Sequence, residues 1–135
     1  MYNVRNSFQV IGRLTQDAKV FDNADGSKKV RFTLAAKDNF KSGTENEAKS
    51  QFIPVEAFVS ANAVKKNGIG RYGLIHKGDQ VAVTGQIQNN NYTDKDGVNR
   101  YDLVLRIETL DLMESRTVTE QRAINNAMAE SNPFN

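Results

Sequence analysis

Apolar and polar residues alternate along most of the first 110 positions. Phe8, Val10, Gly12 and Leu14 alternate with Gln9, Ile11 and Arg13, which predicts a long first strand over about residues 3–14 with a mixed second face. Val30, Phe32, Leu34 and Ala36 alternate with Arg31, Thr33 and Lys37, giving a second strand with one apolar and one partly basic face, entered through an Asp25-Gly26 turn. Residues 52–59 read as a third strand, where Pro54 suits an edge or a bulge better than a central ladder. Val81, Val83, Gly85 and Ile87 form a fourth, and Tyr101, Leu103, Leu105 and Ile107 a fifth, joined across the hairpin signal Asp96-Gly97. The only helical stretch of this body is short, about residues 60–66, and a mobile loop is expected over 67–73.

Five strands, a long first one, and a short helix between the third and fourth predict an all-β domain with small α content. The architecture expected is the five-stranded Greek-key barrel of the OB-fold. Gly12 and Gly85 ease the sharp bends that closing a small barrel requires. The pattern changes after Leu110. Thr117-Val118-Thr119-Glu120 has the form of a capping box, and Ile124, Ala127 and Met128 follow at helical spacing, so a short helix is expected at about 118–130. The division is therefore a domain over residues 1–110 and a C-terminal tail over 111–135 that ends in Pro133-Phe134-Asn135.

Composition narrows the chemistry. With 135 residues the chain suffices for one domain with a modest core, and with no cysteine it has neither disulfides nor thiolate chemistry. Residues 1–110 hold 16 Lys/Arg against 12 Asp/Glu and residues 111–135 hold 2 against 4, a mildly basic body with a slightly acidic tail. No apolar stretch reaches the length of a membrane span, and Met1-Tyr2-Asn3-Val4 lacks the regions of a signal peptide, so a cytoplasmic location is expected.

Aromatic residues carry the candidate chemistry. Phe40 sits in Lys37-Asp38-Asn39-Phe40-Lys41, Phe52 opens the third strand, and Tyr92 precedes the turn Thr93-Asp94-Lys95-Asp96-Gly97. Aromatic faces stack on any base and cations follow phosphates, so rings beside turns and interleaved with Lys and Arg suit a single-stranded nucleic acid. Phe8, Phe21 and Phe32 lie on apolar strand faces and read as core, whereas Phe58 fits either a core or an outward position.

The chain resembles the bacterial and phage single-stranded DNA-binding protein (SSB) family over about residues 3–110. The resemblance rests on Val10-Ile11-Gly12-Arg13-Leu14-Thr15-Gln16-Asp17, Val30-Arg31-Phe32-Thr33-Leu34-Ala35, Val55-Glu56-Ala57-Phe58, His76-Lys77-Gly78-Asp79-Gln80-Val81, Val83-Thr84-Gly85-Gln86-Ile87 and Tyr92 to Tyr101. It implies an OB-fold, homo-oligomers (usually a tetramer, with a dimer as the alternative) and sequence-independent binding and protection of single-stranded DNA in replication, recombination or repair. Carried over by position, the stacking aromatics fall on Phe40, Phe52, Phe58 and Tyr92, and Lys77 matches a basic position of the family. The phosphate contacts expected are Lys37, Lys41, Arg71, Lys77 and Arg100, with Lys65, Lys66 and Tyr72 beside Arg71 as a flap over DNA. Three departures accompany the likeness. Gln88-Asn89-Asn90-Asn91 stands where many relatives are basic, 67–73 looks inserted, and the tip Pro133-Phe134 lacks the family's acidic run. Recruitment of replication or recombination proteins through that tip is thereby weakened, and a phage or mobile-element version is suggested.

Other signals are discounted. Gly68-Ile69-Gly70-Arg71-Tyr72-Gly73 matches G-x-G-x-x-G but has no strand before it or long helix after it. Asp94 and Asp96 belong to a hairpin turn rather than a calcium loop, and His76 has no recognisable catalytic partner. No catalytic residue, cofactor or metal is expected. The competing reading is an OB-fold assembly factor acting mainly through protein–protein contacts.

Overall fold

The computed structural model describes residues 5–42 and 47–131. In chain order its elements are β1 (Phe8–Leu14), β2 (Lys19–Asp22), β3 (Lys28–Ser42), β4 (Glu47–Val59), α1 (Ala61–Asn67), a 3-10 turn (Gly70–Leu74), β5 (Gln80–Thr93), β6 (Asn99–Leu112) and α2 (Arg116–Ser131). The strands are ordered β1-β5-β6-β4-β3-β2, and a further β1–β3 pairing at Arg13–Ala35 and Leu14–Leu34 closes five of them into a barrel. The β4–β6 contact is parallel and brief, at Val55–Leu105 and Glu56–Arg106, and all other pairings are antiparallel. This is the OB-fold barrel that the alternation predicts.

Period-two alternation fills the interior. Val30, Phe32 and Leu34 of β3 meet Val55 and Ala57 of β4, Val81 and Val83 of β5, and Ile107 and Leu110 of β6, all buried. Two glycines allow closure. A Cβ on Gly12 would stand 2.7 Å from the Ala35 carbonyl oxygen, where β1 crosses β3. One on Gly85 would stand 1.9 Å from the Arg106 carbonyl oxygen, at the bulge where the β5–β6 register shifts.

Several elements differ from expectation. The first strand begins at Phe8 and is 7 residues long, while β3, β4, β5 and β6 have 13 to 15 residues and extend past the barrel as two hairpin arms. A sixth strand, β2, lies on the edge of β3, and its Phe21 is not core but 42% exposed. The segment expected as a mobile loop is the Gly70–Leu74 turn, with Ile69 and Tyr72 packed against the core. α2 starts two residues earlier than the capping-box reading. Ser115 Oγ accepts the Val118 N–H at 3.3 Å, whereas Thr119 is buried and its hydroxyl donates to the Arg116 carbonyl.

α2 is fastened to the barrel by charge. Arg122 Nη1 lies 2.7 Å from Asp79 Oδ1 and 2.7 Å from Glu114 Oε1, and its Nη2 donates to Glu114 Oε2 at 3.0 Å. Arg13 Nη1 adds a contact to Glu114 at 3.2 Å, and the Asn126 amide donates to the Lys77 carbonyl. The Arg122 guanidinium, then the Gln80 N–H, hold the Glu114 carboxyl down at about 2.

Candidate nucleic-acid interface

The outer face of β4 presents Phe52, Pro54, Glu56 and Phe58, since Val55 and Ala57 point inward. Phe52 is 68% exposed and Phe58 51%. Phe58 thus takes the outward of its two possible positions, out of phase with Val55 and Val59. Directly opposite residues of an antiparallel pair share a face, so Phe58 lies beside Lys29 of β3, and Lys29 beside Phe21 of β2. The Lys29 ammonium stands 5.6 Å from the centroid of the Phe21 ring. Next along the same face, Glu56 lies between two guanidinium groups, Arg31 at 3.9 Å and Arg106 at 3.5 Å. The buried Arg106 Nε has no hydrogen-bond partner, so Nη2 makes the contact of this guanidinium to Glu56.

The β5–β6 arm completes the face. Gln86–Arg106, Gln88–Val104, Asn90–Asp102 and Tyr92–Arg100 are its outward pairs. A cleft of about 250 Å³ brings Gln88, Asn90, Val104 and Arg106 together with Phe58 and Lys29. Tyr92 is 47% exposed beside Arg100. Arg100 Nε donates to Asp94 Oδ2 at 2.8 Å, and the other oxygen of Asp94 accepts the Asp96 and Val98 N–H groups, so the aspartate organises the turn. The Val98 N–H, then Arg100, lower the Asp94 carboxyl from its usual range.

The remaining expected site residues are scattered. Lys37 is exposed on β3 and lines the opening between β1 and β3. Lys65 and Lys66 are exposed in the last turn of α1. Arg71 Nη1 donates to the Leu110 carbonyl at 2.9 Å and touches Asp111, and Tyr72 is half-buried against the core, its phenol raised by burial. Those two residues pack the turn against β6, and they line a cleft of about 760 Å³ together with Phe58. The Lys77 N–H donates to Asp17 at 2.8 Å, which places this residue at the α2 end of the barrel. The side chains of Phe40 and Lys41, and the tip Pro133-Phe134, lie outside the described residues. His76 does have a carboxylate neighbour, its Nδ1 standing 3.3 Å from Asp79, but that carboxylate already takes the His76 N–H and Arg122.

Sequence reasoning passed over Phe21, Lys29, Arg31 and Arg106. The basic face of the second strand was visible, but the edge strand that puts an aromatic beside it was not. Among the described residues, no group of three His, Asp or Glu side chains is placed to hold a metal, and no helix is long and apolar enough to cross a membrane.

The profile of the Single-strand binding protein family matches residues 5–113. A single-stranded DNA-binding protein of Clostridium perfringens is 35% identical over 111 residues, covering 82% of this chain and 67% of that protein. One of Malacoplasma penetrans is 31% identical over 111 residues, and the matched chain spans about half of that relative, 53%. Single-stranded DNA-binding protein 1 of Streptococcus pyogenes is 28% identical over 128 residues, 95% of this chain and 91% of its own length. The match runs from the entrance of β1 to the end of β6, the whole barrel with its aromatic face, and on that footing the chain belongs to the single-strand binding protein family.

Proposed function

We propose that this protein binds single-stranded DNA without sequence preference and shields it during replication, recombination or repair, as a non-enzymatic cytoplasmic protein. One observation carries the reading. Phe52, Phe58 and Tyr92 are exposed on the outer sides of β4 and the β5–β6 arm, where Lys29, Arg31, Arg100 and Arg106 share their faces. Large exposed rings cost solvation in a free protein and are repaid when bases stack on them, while the cations follow the backbone. Stacking needs only a π-face, which every base has, so binding through these rings is expected to be independent of sequence. Phe52, Phe58 and Tyr92, with Phe40, are the stacking set. Lys37, Lys41, Arg71, Lys77 and Arg100 supply phosphate contacts; Arg71 and Arg100 are each already paired with an aspartate, Asp111 and Asp94.

Self-association belongs to the same reading, with a tetramer as the expected state. The β1 strand pairs with β3 only at its last two residues, which leaves the edge of Phe8–Gly12 facing that side open, and Ile11 is 55% exposed on its outer face.

The test is fluorescence anisotropy of a labelled long oligo-dT, against the matching duplex, across a salt series, with the oligomeric state measured by light scattering. Tight binding to the single strand, with the duplex ignored, supports the proposal. Equal binding to both that vanishes with salt reduces the face to a basic surface. Failure to bind either transfers the function to protein–protein assembly, for which Val118, Ile124 and Met128 of α2 offer exposed apolar surface.

A further inference from the structure

We propose that Phe21 is an additional base-stacking platform, partly screened in the free protein by Lys29, and that it carries the single strand beyond the family's aromatic set onto the edge strand β2. The inference rests on the single-stranded DNA reading and names residues which the family resemblance does not supply.

The local sequence dictates the arrangement. Asn23, Asp25 and Ser27 close a tight turn, with Asp25 Oδ1 accepting both the Ser27 N–H at 2.9 Å and its hydroxyl at 2.6 Å. That turn folds Lys19–Asp22 back on β3 in the register Lys19–Arg31, Val20–Val30, Phe21–Lys29, Asp22–Lys28. Lys19 and Phe21 therefore stand on the face that carries Arg31 and Lys29, and β3 in turn aligns Lys29 with Phe58 and Arg31 with Glu56. Phe58, Lys29 and Phe21 form one row across three strands. At a strand spacing of about 4.8 Å the two rings are roughly 10 Å apart with a cation between them. That is about three stacked-nucleotide rises of roughly 3.4 Å, so one strand segment reaches both rings.

The surroundings favour a nucleotide over a merely structural ring. A cleft of about 330 Å³ next to Phe21 is lined by Lys19, Arg31, Asp17, Thr33 and Pro54, an apolar floor rimmed by two cations, a hydroxyl and one carboxylate that already accepts the Lys77 N–H. Its cations are suited to phosphate, and its floor continues the Phe52–Pro54 side of β4. Lys29 and Phe21 also have a relationship that binding would alter. The ammonium over the ring is a weak, exposed cation–π contact. A phosphate attracts the ammonium more strongly than a phenyl face does, and its departure uncovers the ring for a base. The strand therefore replaces one modest contact by a charge-assisted one and a stack.

The experiment measures oligo-dT affinity and its salt dependence for the natural chain, Phe52→Ala, Phe21→Leu, Phe21→Tyr and Lys29→Gln, with melting temperatures to confirm folding. Leu preserves the apolar contact that a structural role needs and removes the aromatic face. The expected results are a loss of about fivefold or more for Phe21→Leu, at least partly regained by Phe21→Tyr, and for Lys29→Gln a log–log salt slope shallower by about 0.7. If the natural chain binds and Phe52→Ala weakens it while Phe21→Leu binds as before, Phe21 is an ordinary edge-strand residue and only this proposal falls. If the natural chain does not bind oligo-dT, the parent reading falls and takes this one with it.

Discussion

Replacing Arg122 by Met should loosen α2 and destabilise the whole domain by an amount that the geometry of the charge cluster sets. Met keeps part of the apolar stem and removes every donor. Asp79 is fully buried and would lose the 2.7 Å contact on Oδ1, keeping the His76 N–H at 2.9 Å and the His76 ring at 3.3 Å on Oδ2. Glu114 would lose two contacts and keep the Gln80 N–H at 2.9 Å and Arg13 at 3.2 Å. Removing one partner of a fully buried pair costs about 3–5 kcal/mol. Each carboxylate here retains some of its donors, and the Arg122 side chain is 26% exposed, so about 2–3 kcal/mol is expected. For a chain of this size that is a fall in Tm of roughly 6–15 °C, read by circular dichroism, with faster amide exchange throughout α2. The loss should persist at high salt, because the pair lies mostly out of reach of counterions. Adding Asp79→Asn should recover part of it by removing the orphaned charge. Arg116→Met is the control, since its pair with Glu120 is exposed on both sides and its removal should move Tm by about 2 °C or less. A variant Arg122→Met with the Tm and α2 exchange of the natural chain would refute the clamp.

Phe52→Ala should weaken oligo-dT binding by roughly tenfold, within the range of about 1–3 kcal/mol for one stacked base, while the melting temperature stays put because the ring is 68% exposed. Gly85→Ala should cost about 3 kcal/mol or more, since its Cβ would fall 1.9 Å from the Arg106 carbonyl oxygen and 3.0 Å from the Glu108 nitrogen. A urea midpoint that drops at constant m would record it, and an unchanged midpoint would mean that the bulge can be relieved. Acid should undo the α2 clamp within a defined window. The Glu114 carboxyl is lowered from 4.5 to about 2, so its contribution is complete above about pH 4.5 and is lost as pH falls through about 2, with a ceiling of about 3 kcal/mol. The Tm gap between the natural chain and Glu114→Gln should accordingly be constant from neutral pH to about 5 and close below that; a gap that survives at pH 2 would assign the stabilisation elsewhere.

What the sequence disclosed and what it hid have physical causes. The inward residues of β3 were legible because Val30, Phe32 and Leu34 are large and strictly alternate, and their burial is complete or nearly so. Phe58 was ambiguous because the inward residue beside it is Ala57, too small to mark the phase against a neighbouring ring. Phe21 was misassigned for a different reason: a strand of four residues, Lys19–Asp22, takes its face from the register with β3 rather than from any pattern of its own. The clamp on α2 joins residues 43 positions apart, a pairing that no local pattern reports. The helix start did leave a signal, since Ser115 precedes Val118 by three positions, but the Thr117-to-Glu120 box resembled a cap more closely.

The charge pattern of the aromatic face bears on where the binding energy comes from. Most of its cations already have acidic neighbours in the free protein. Arg31 and Arg106 share Glu56, and Arg100 is held by Asp94. A phosphate arriving at any of these displaces a carboxylate, so each contact yields less than a free lysine would, and the uncharged run Gln88-Asn89-Asn90-Asn91 adds no cation to the arm. With about 0.7 in log–log slope for each phosphate neutralised on a single strand, two or three effective contacts give a slope near −2. Stacking then has to supply the larger share, and ring substitutions at Phe52, Phe58 and Tyr92 should cost more affinity than charge removal at Arg31 or Arg100. A measured slope steeper than about −4 would reverse that ranking, because it would require the carboxylates on this face to give up their partners at little cost.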